Sequence, residues 1–361
     1  MSDRATLSAI SGVGGKGPAC FLIEAGGVSL LLDLGYGPQP GLLPNVDSVG
    51  KVDALLLSHG HRDHAGGLAL LEKVGHPPVY ATEFVARGLP QSIETRLLPL
   101  RGSADVLGMA VETGRSGHAP GGIWIRFDLG DGLLYMGDHC RASLLWAFDM
   151  PPPAATVILD ASYGVDDVPA LERFAKFDRF CAAAAVLLPV PGDGRGPEIA
   201  LYLARQGCTT LHVDGALRAA LNQLADHGEA SLWNGLAGEI RRIGAASAAI
   251  NDPSGVMLAS RADGTAGESA RLIALWENLP APEIIFTGYI PAGTPAERLV
   301  SSGRGSYLRW NVHPRLAENA ELVAATKPQT VVPAFCEREQ LAALARAFAP
   351  ARLAVDAPIA L

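Results

Sequence analysis

The sequence predicts an α/β protein of two domains, on three observations. Its 361 residues exceed what a single hydrophobic core usually organises. The first third breaks into short apolar strands separated by glycine turns, each strand too short for a helix. The middle third alternates Ala/Leu-rich helical stretches with short apolar strands, the pattern of a largely parallel sheet.

In chain order, "FLIEAGGVSLLLDLG" is two apolar runs around Gly26 and Gly27, a hairpin signal. "DALLLSHG" reads as a buried strand ending in a histidine cluster, and "HAGGLALLEKVG" as a helix closed by Gly75. "PPVYAT" is a further strand, and "GGIWIRFDLGDGLLYMGDH" a second hairpin turning at residues 130–132. "ATVILDASYG" is a buried strand ending in an aspartate. Helical stretches follow at 168–186, 196–206, 215–228 and 265–279, between the strands "AVLLPV", "TTLHVD" and "EIIFTG". Residues 291–306 read as a flexible loop, and "TVVPAFCEREQLAALARAFA" as strand then helix.

Composition narrows the function classes. No apolar run reaches the roughly 18 to 20 residues of a membrane span, and "MSDRATLSAI" lacks a secretory pattern, so a cytoplasmic protein without membrane attachment is expected. The five cysteines form no CxxC pair, which argues against a zinc ribbon or a disulfide framework. With 29 Lys and Arg against 37 Asp and Glu, the net charge of -8 leaves room for a local basic groove but not for a broadly basic surface. A homodimer is compatible with all of this.

The chemistry concentrates in "HGHRDH", residues 59–64. Imidazole and carboxylate are preferred zinc ligands. His59 and His61 are two apart and face one way as the strand ends, while Asp63 and His64 lie on the following turn. They offer two pairs of ligands to two neighbouring metal positions. Gly66 and Gly67 let the backbone pass close to the site. His118 and Asp138, each in a turn at a strand's end, supply further ligands, and Asp138 can bridge two metals. A metal lowers the pKa of bound water to about 7, and two metals can hold both oxygens of a displacement, so hydrolysis is the expected use. "GVGGKG" lacks phosphate-loop spacing and reads as a turn.

These residues resemble the metallo-β-lactamase superfamily of hydrolases, whose HxHxDH run is matched by His59, His61, Asp63 and His64. The resemblance implies a four-layer αββα sandwich. It also implies that His59, His61, His118 and Asp138 hold a first metal, and that Asp63, His64 and Asp138 hold a second. Asp33 would support the site through hydrogen bonds, and Asp63 would also serve catalysis. The remainder resembles the β-CASP branch, which includes ribonuclease J and the cleavage-and-polyadenylation endonuclease. On that resemblance an α/β domain is inserted at 168–285, between metallo-β-lactamase parts at 1–167 and 286–361. Asp160 then matches the branch's acidic strand end and His313 its general acid. Arg195 and Glu198 match the branch's P-x-x-x-x-GR-x-x-E helix start, Thr294 its GY-x-x-x-GT loop, and Glu337 the last motif. His139, next to Asp138, is expected to make a supporting or substrate contact rather than bind metal.

Three positions depart from the branch. Glu297 stands in place of an arginine, Arg315 in place of an aspartate, and Phe335 in place of the histidine that completes the second metal. The second half-site should therefore be the weaker, with Cys336 the alternative ligand. The expected function is a phosphodiesterase or nuclease using a metal-activated hydroxide at a dinuclear site. Its substrate would be a single-stranded nucleic acid or oligonucleotide, and one or two Zn2+ per chain would be the cofactor. Mn2+ and Fe suit the same ligands. A metallo-hydrolase for a small ester, thioester or lactone is the second reading, and a weakly catalytic, metal-stabilised binding protein the third.

Overall fold

A computed structural model of the chain describes residues 5–39, 41–356 and 358–361. The fold divides into two units. One runs to Arg141 and takes in Trp146–Asp167 and His313–Leu361; the other comprises Ala142–Leu145 and Val168–Val312.

The first unit pairs two seven-stranded sheets. One orders Ile359–Ala360, Thr6–Ser11, Cys20–Ala25, Val28–Leu32, Ala54–Leu56, Val79–Ala81 and Thr95–Leu97. The other orders Arg352–Leu353, Thr330–Ala334, Thr156–Asp160, Leu133–Tyr135, Ile123–Phe127, Met109–Arg115 and Gly102–Val106. Strand periodicity explains the layering. Phe21, Ile23, Leu30, Leu32 and Leu56 point inward to a core shared with Ile125, Tyr135, Ile158 and Val332 of the facing sheet. Their neighbours Leu22, Leu31 and Leu55 point outward onto Leu70, Leu71 and Val74. The second sheet likewise sets Leu134, Val157 and Val331 against Leu322, Leu344 and Phe348 of two helices. Strands covered on both faces read as continuous apolar runs, which is why "LLLDLG" and "ALLLS" show no alternation in sequence. The result is the αββα sandwich.

The second unit is a five-stranded parallel sheet ordered Leu211–Val213, Gly255–Ser260, Ala185–Val190, Glu283–Phe286 and Gly305–Tyr307. It extends beyond residue 285, to Val312, because Glu283–Phe286 pairs with the central Ala185–Val190 strand and Gly305–Tyr307 pairs with Glu283–Phe286 in turn.

The two hairpins form as expected. The first turns at Gly26 and Gly27, both with positive φ (58° and 83°), conformations that demand little of glycine alone. Two local expectations change. "HAGGLALLEKVG" is a short helix, Arg62–Ala65, then a 3-10 turn, Leu68–Val74, because the glycine pair interrupts it; Gly75 does close it in the left-handed conformation. Residues 291–306 are not a flexible loop but the helix Pro295–Ser301 followed by a strand. Thr294 caps that helix by accepting from the Glu297 amide, while the Glu297 carboxylate accepts from the Gly293 amide at 2.7 Å. The helix Leu236–Ala246 and the strand Gly255–Ser260 complete the second unit without a signal recognised in the sequence.

Candidate metal centre

Backbone hydrogen bonds hold the histidine-rich turn against the end of the first sheet. Leu34 N–H donates to His64 O (2.8 Å), Tyr36 N–H to Arg62 O (2.9 Å), and Ala19 N–H to Asp63 O (2.8 Å). Gly35 makes this approach feasible, since a Cβ there would overlap the Asp63 carbonyl. Gly67 also packs closely, on the carbonyls of Leu34 and Gly35. His118 arrives from a tight turn, where Gly122 N–H donates to Ala119 O, and Asp138 follows Gly137, whose backbone lies against the Ser58 side chain.

These elements bring the ligand atoms of His59, His61, His118 and Asp138 within 4.8 Å of one another, and Asp63, His64 and Asp138 form a second such group around the shared carboxylate. A third joins Asp138 to Asp160 and His313. Ligands of one tetrahedral zinc, each at about 2.0 to 2.1 Å, stand about 3.3 Å apart. The observed separations bracket that spacing: His61 Nδ1 to His118 Nε2 is 3.0 Å, His118 Nε2 to Asp138 Oδ2 is 3.4 Å, and His59 Nε2 to Asp138 Oδ2 is 3.9 Å. His59 Nε2 is buried with no hydrogen-bond partner among the described residues, and Asp138 Oδ1, also buried, lies 3.1 Å from His64 Nε2 without forming a well-aligned hydrogen bond. Burying such atoms unsatisfied costs about 1 to 3 kcal/mol each, so the site fits a divalent cation better than it fits itself.

Supporting groups fix which nitrogens face the centre. The Ser58 hydroxyl donates to Asp33 Oδ2 (2.7 Å), so it accepts from His59 Nδ1 (3.0 Å) and leaves the His59 Nε2 lone pair free. Asp33 Oδ2 lies 2.6 Å from His64 Nδ1 and also accepts from the Tyr135 hydroxyl at 2.5 Å, while Oδ1 accepts from the Ser58 amide at 2.7 Å. Asp33 is fully buried and adopts a φ of 57°, a left-handed conformation that aspartate tolerates better than most residues. Ser58 and Tyr135 were not among the residues singled out from sequence.

Electrostatics follow from this packing. Burial, with His64 and His61 alongside, lowers the His59 pKa well below the ordinary histidine value. Burial pulls His64 the same way, but the Asp138 and Asp33 carboxylates outweigh it and raise its pKa well above that value. Burial opposes ionisation of Asp138, yet His64 and His313 hold its carboxyl well below the usual range.

The remaining candidates are placed as follows. His313 Nδ1 lies 2.8 Å from Asp160 Oδ2 and 3.7 Å from Asp138 Oδ2. Asp160 also accepts from the amides of Ser162 (3.0 Å) and His139 (3.3 Å). The His139 ring is fully buried beside Phe148, with neither nitrogen hydrogen-bonded among the described residues, and burial lowers its pKa to about 4. Phe335 is buried against His64, whereas Cys336 points into the opposite core with Trp124 and Leu322 and joins none of the ligand groups. Glu337 is exposed, and its main-chain carbonyl accepts from the Gln340 amide. Arg315 pairs with Asp167 at 2.8 Å. Arg195 and Thr294 belong to the second unit, where Arg195 Nε donates to Thr287 Oγ1 at 3.0 Å and Thr294 caps a helix.

Residues 13–163 match the family model described as the metallo-beta-lactamase superfamily. An uncharacterized protein of Synechocystis, sll0514, is 32% identical over 217 residues, covering 52% of this chain and 38% of its own. Ribonuclease TTHA0252 of Thermus thermophilus is 30% identical over 177 residues, covering 40% of this chain and 41% of its own. The chain thus spans about two fifths of the length of these curated relatives. A crystal structure of a protein of unknown function from Enterococcus faecalis V583 shares the fold, with a TM-score of 0.62 over 99% of this chain and 100% of that one at 14% identity. No helix among the described residues is long and apolar enough to cross a membrane.

Proposed function

Because residues 13–163 match the metallo-beta-lactamase superfamily model, we propose that the chain is a divalent-metal-dependent hydrolase acting on phosphodiester bonds of nucleic acid. One observation carries the reading: His59, His61, His118 and Asp138 converge around buried, unsatisfied ligand atoms. The relative named as a ribonuclease supports the substrate class. Zinc is the default cation for this donor set.

A divalent cation held by these residues would supply a hydroxide nucleophile at neutral pH and offset charge on the phosphate. The residues do the rest. Ser58 and Asp33 keep His59 and His64 in the tautomers that turn Nε2 to the centre. Asp138 presents one oxygen to His59 and His118 and the other to His64, so the carboxylate ties the two half-sites together. Asp160 accepts from His313 Nδ1–H and orients the ring, so it is the imidazolium form of His313, protonated on both nitrogens, that can give its Nε2 proton to the departing oxygen. Asp63 closes the second half-site with His64 and Asp138.

The test is cleavage of RNA, DNA and bis(p-nitrophenyl) phosphate by the zinc- or manganese-loaded protein. Turnover that disappears in His59→Ala and Asp138→Ala, with circular dichroism unchanged, is expected. Absence of cleavage of all three substrates by the loaded wild type sinks the proposal.

A further inference from the structure

We propose that Tyr163 is a positioning residue for His313, holding the imidazole so that Nδ1 stays on Asp160 and Nε2 is aimed at the departing oxygen. The proposal rests on the phosphodiesterase reading and adds to it the residue that sets the direction of proton donation.

Both residues belong to the first unit, on the segments Trp146–Asp167 and His313–Leu361. Hydrogen bonds latch those segments together. Leu316 N–H donates to Asp166 O at 2.9 Å, and the Ala317 amide and Arg315 Nη1 donate to Asp167 Oδ1 at 2.9 and 2.8 Å. Asp160 shapes the other end of the contact. Its Oδ1 accepts from the Ser162 amide at 3.0 Å and starts a tight turn, in which Gly164 N–H donates to Ala161 O at 2.8 Å. Its Oδ2 accepts from His313 Nδ1 at 2.8 Å. The turn sets the half-buried Tyr163 ring against the buried imidazole, with centroids 5.2 Å apart and planes at 78°. That is the edge-to-face arrangement aromatic rings prefer.

One hydrogen bond does not fix a ring. An imidazole tethered at Nδ1 alone can pivot about that bond, and a second acceptor is near: Asp138 Oδ2 lies 3.7 Å from the same nitrogen. Asp138 is the carboxylate shared by the metal half-sites, so a ring that swung to it would turn Nε2 away from the leaving group. Ring contacts oppose the pivot. His118 packs on His313 at 4.9 Å with planes at 35°, and Tyr163 stands nearly perpendicular to it. His118 is committed to the first group of metal ligands, which leaves Tyr163 as the ring contact with no metal to hold. An edge-to-face pair favours the packed orientation by roughly 2- to 12-fold.

The experiment compares Tyr163→Ala and Tyr163→Phe in the zinc-loaded full chain on an oligonucleotide, whose leaving group needs a proton, and on bis(p-nitrophenyl) phosphate, whose leaving group does not. Tyr163→Ala is expected to lose roughly 10-fold in kcat on the oligonucleotide, with KM within about twofold and the aryl ester turned over as by wild type. Tyr163→Phe keeps the ring and should restore the oligonucleotide rate. Proton–nitrogen correlation spectra of the imidazoles give a readout that needs no turnover. The His313 Nδ1–H signal, protected by Asp160, should persist in wild type and Tyr163→Phe and be lost to solvent exchange in Tyr163→Ala. Equal losses on both substrates, a phenylalanine variant as impaired as alanine, or an unchanged His313 signal in Tyr163→Ala each overturn the proposal while the phosphodiesterase reading stands. If wild type cleaves neither substrate, that reading fails, and the spectra alone decide whether Tyr163 orients His313.

Discussion

Phe335 sets its ring against the imidazole of His64, with centroids 5.3 Å apart and planes at 68°. Its φ of 65° lies in the left-handed region, and its amide donates to Gly12 O at 2.8 Å. An apolar ring therefore flanks the half-site of Asp63, His64 and Asp138. Histidine adopts left-handed φ more readily than most residues. Phe335→His should therefore fit the backbone and add a ligand. Zinc titration against a competing chelator should show a second equivalent bound at least tenfold more weakly than the first, and the variant should tighten that second step by about tenfold, roughly 1.4 kcal/mol. Equal affinity for both equivalents in the wild type would remove the argument.

Asp33 gathers four donors: the Ser58 amide and hydroxyl, the Tyr135 hydroxyl and His64 Nδ1. Asp33→Asn turns an amide N–H toward some of these donors. Metal affinity should fall by about 10- to 100-fold, as it does when a group orienting a metal-bound histidine is lost. Tyr135→Phe removes one donor and should leave metal affinity within a few fold, with a stability loss of about 1 kcal/mol. Metal titration and urea unfolding of both variants separate the two effects. A normal metal affinity in Asp33→Asn would mean that His64 needs no partner.

The site was legible where its chemistry is contiguous. Two of its ligand pairs sit within six residues, and HxHxDH admits few other uses. Ser58 and Tyr135 were not legible, because their partner Asp33 lies 25 and 102 positions away and only the folded sheets bring them together. The first unit's strands could be read from uninterrupted apolar runs, although that pattern alone does not reveal which sheet they join. The helix at Pro295–Ser301 was missed for a local reason: glycine, proline and serine in 291–306 masked the Thr294–Glu297 cap. The second unit's extent depends on strand pairing at residues 283–286 and 305–307, which no local pattern specifies.

The Asp160–His313 pair bears on the leaving group. Asp160 Oδ2 holds His313 Nδ1 at 2.8 Å, so Asp160→Asn should disturb the tautomer and His313→Ala should remove the proton donor. Proton donation matters most for a poor leaving group. Both variants should lose about 10²- to 10⁴-fold in kcat on an oligonucleotide but far less on bis(p-nitrophenyl) phosphate, whose leaving group needs no proton. Metal content should stay at the wild-type level. Equal losses on both substrates would assign the pair to metal binding or folding instead.

Glu198 provides a pH test inside the second unit. Its carboxyl is fully buried, Oε1 accepts from the Ser143 hydroxyl (2.9 Å) and the Leu144 amide (2.6 Å), and Oε2 accepts from Trp310 Nε1 (3.1 Å). Burial pushes its pKa from 4.5 up to about 7, against the pull of those donors. The folded state therefore binds this proton more tightly than the unfolded chain. The resulting stabilisation is complete below pH 4.5 and is lost as pH rises through about 7. At 1.36 kcal/mol per unit of pKa difference the loss approaches about 3 kcal/mol. Glu198→Gln cannot titrate, so wild type should lose about that much relative to the variant between pH 4.5 and 8. Urea unfolding followed by tryptophan fluorescence measures this directly, since Trp310 touches the carboxylate. Parallel pH profiles for the two proteins would show that the three donors keep Glu198 ionised throughout.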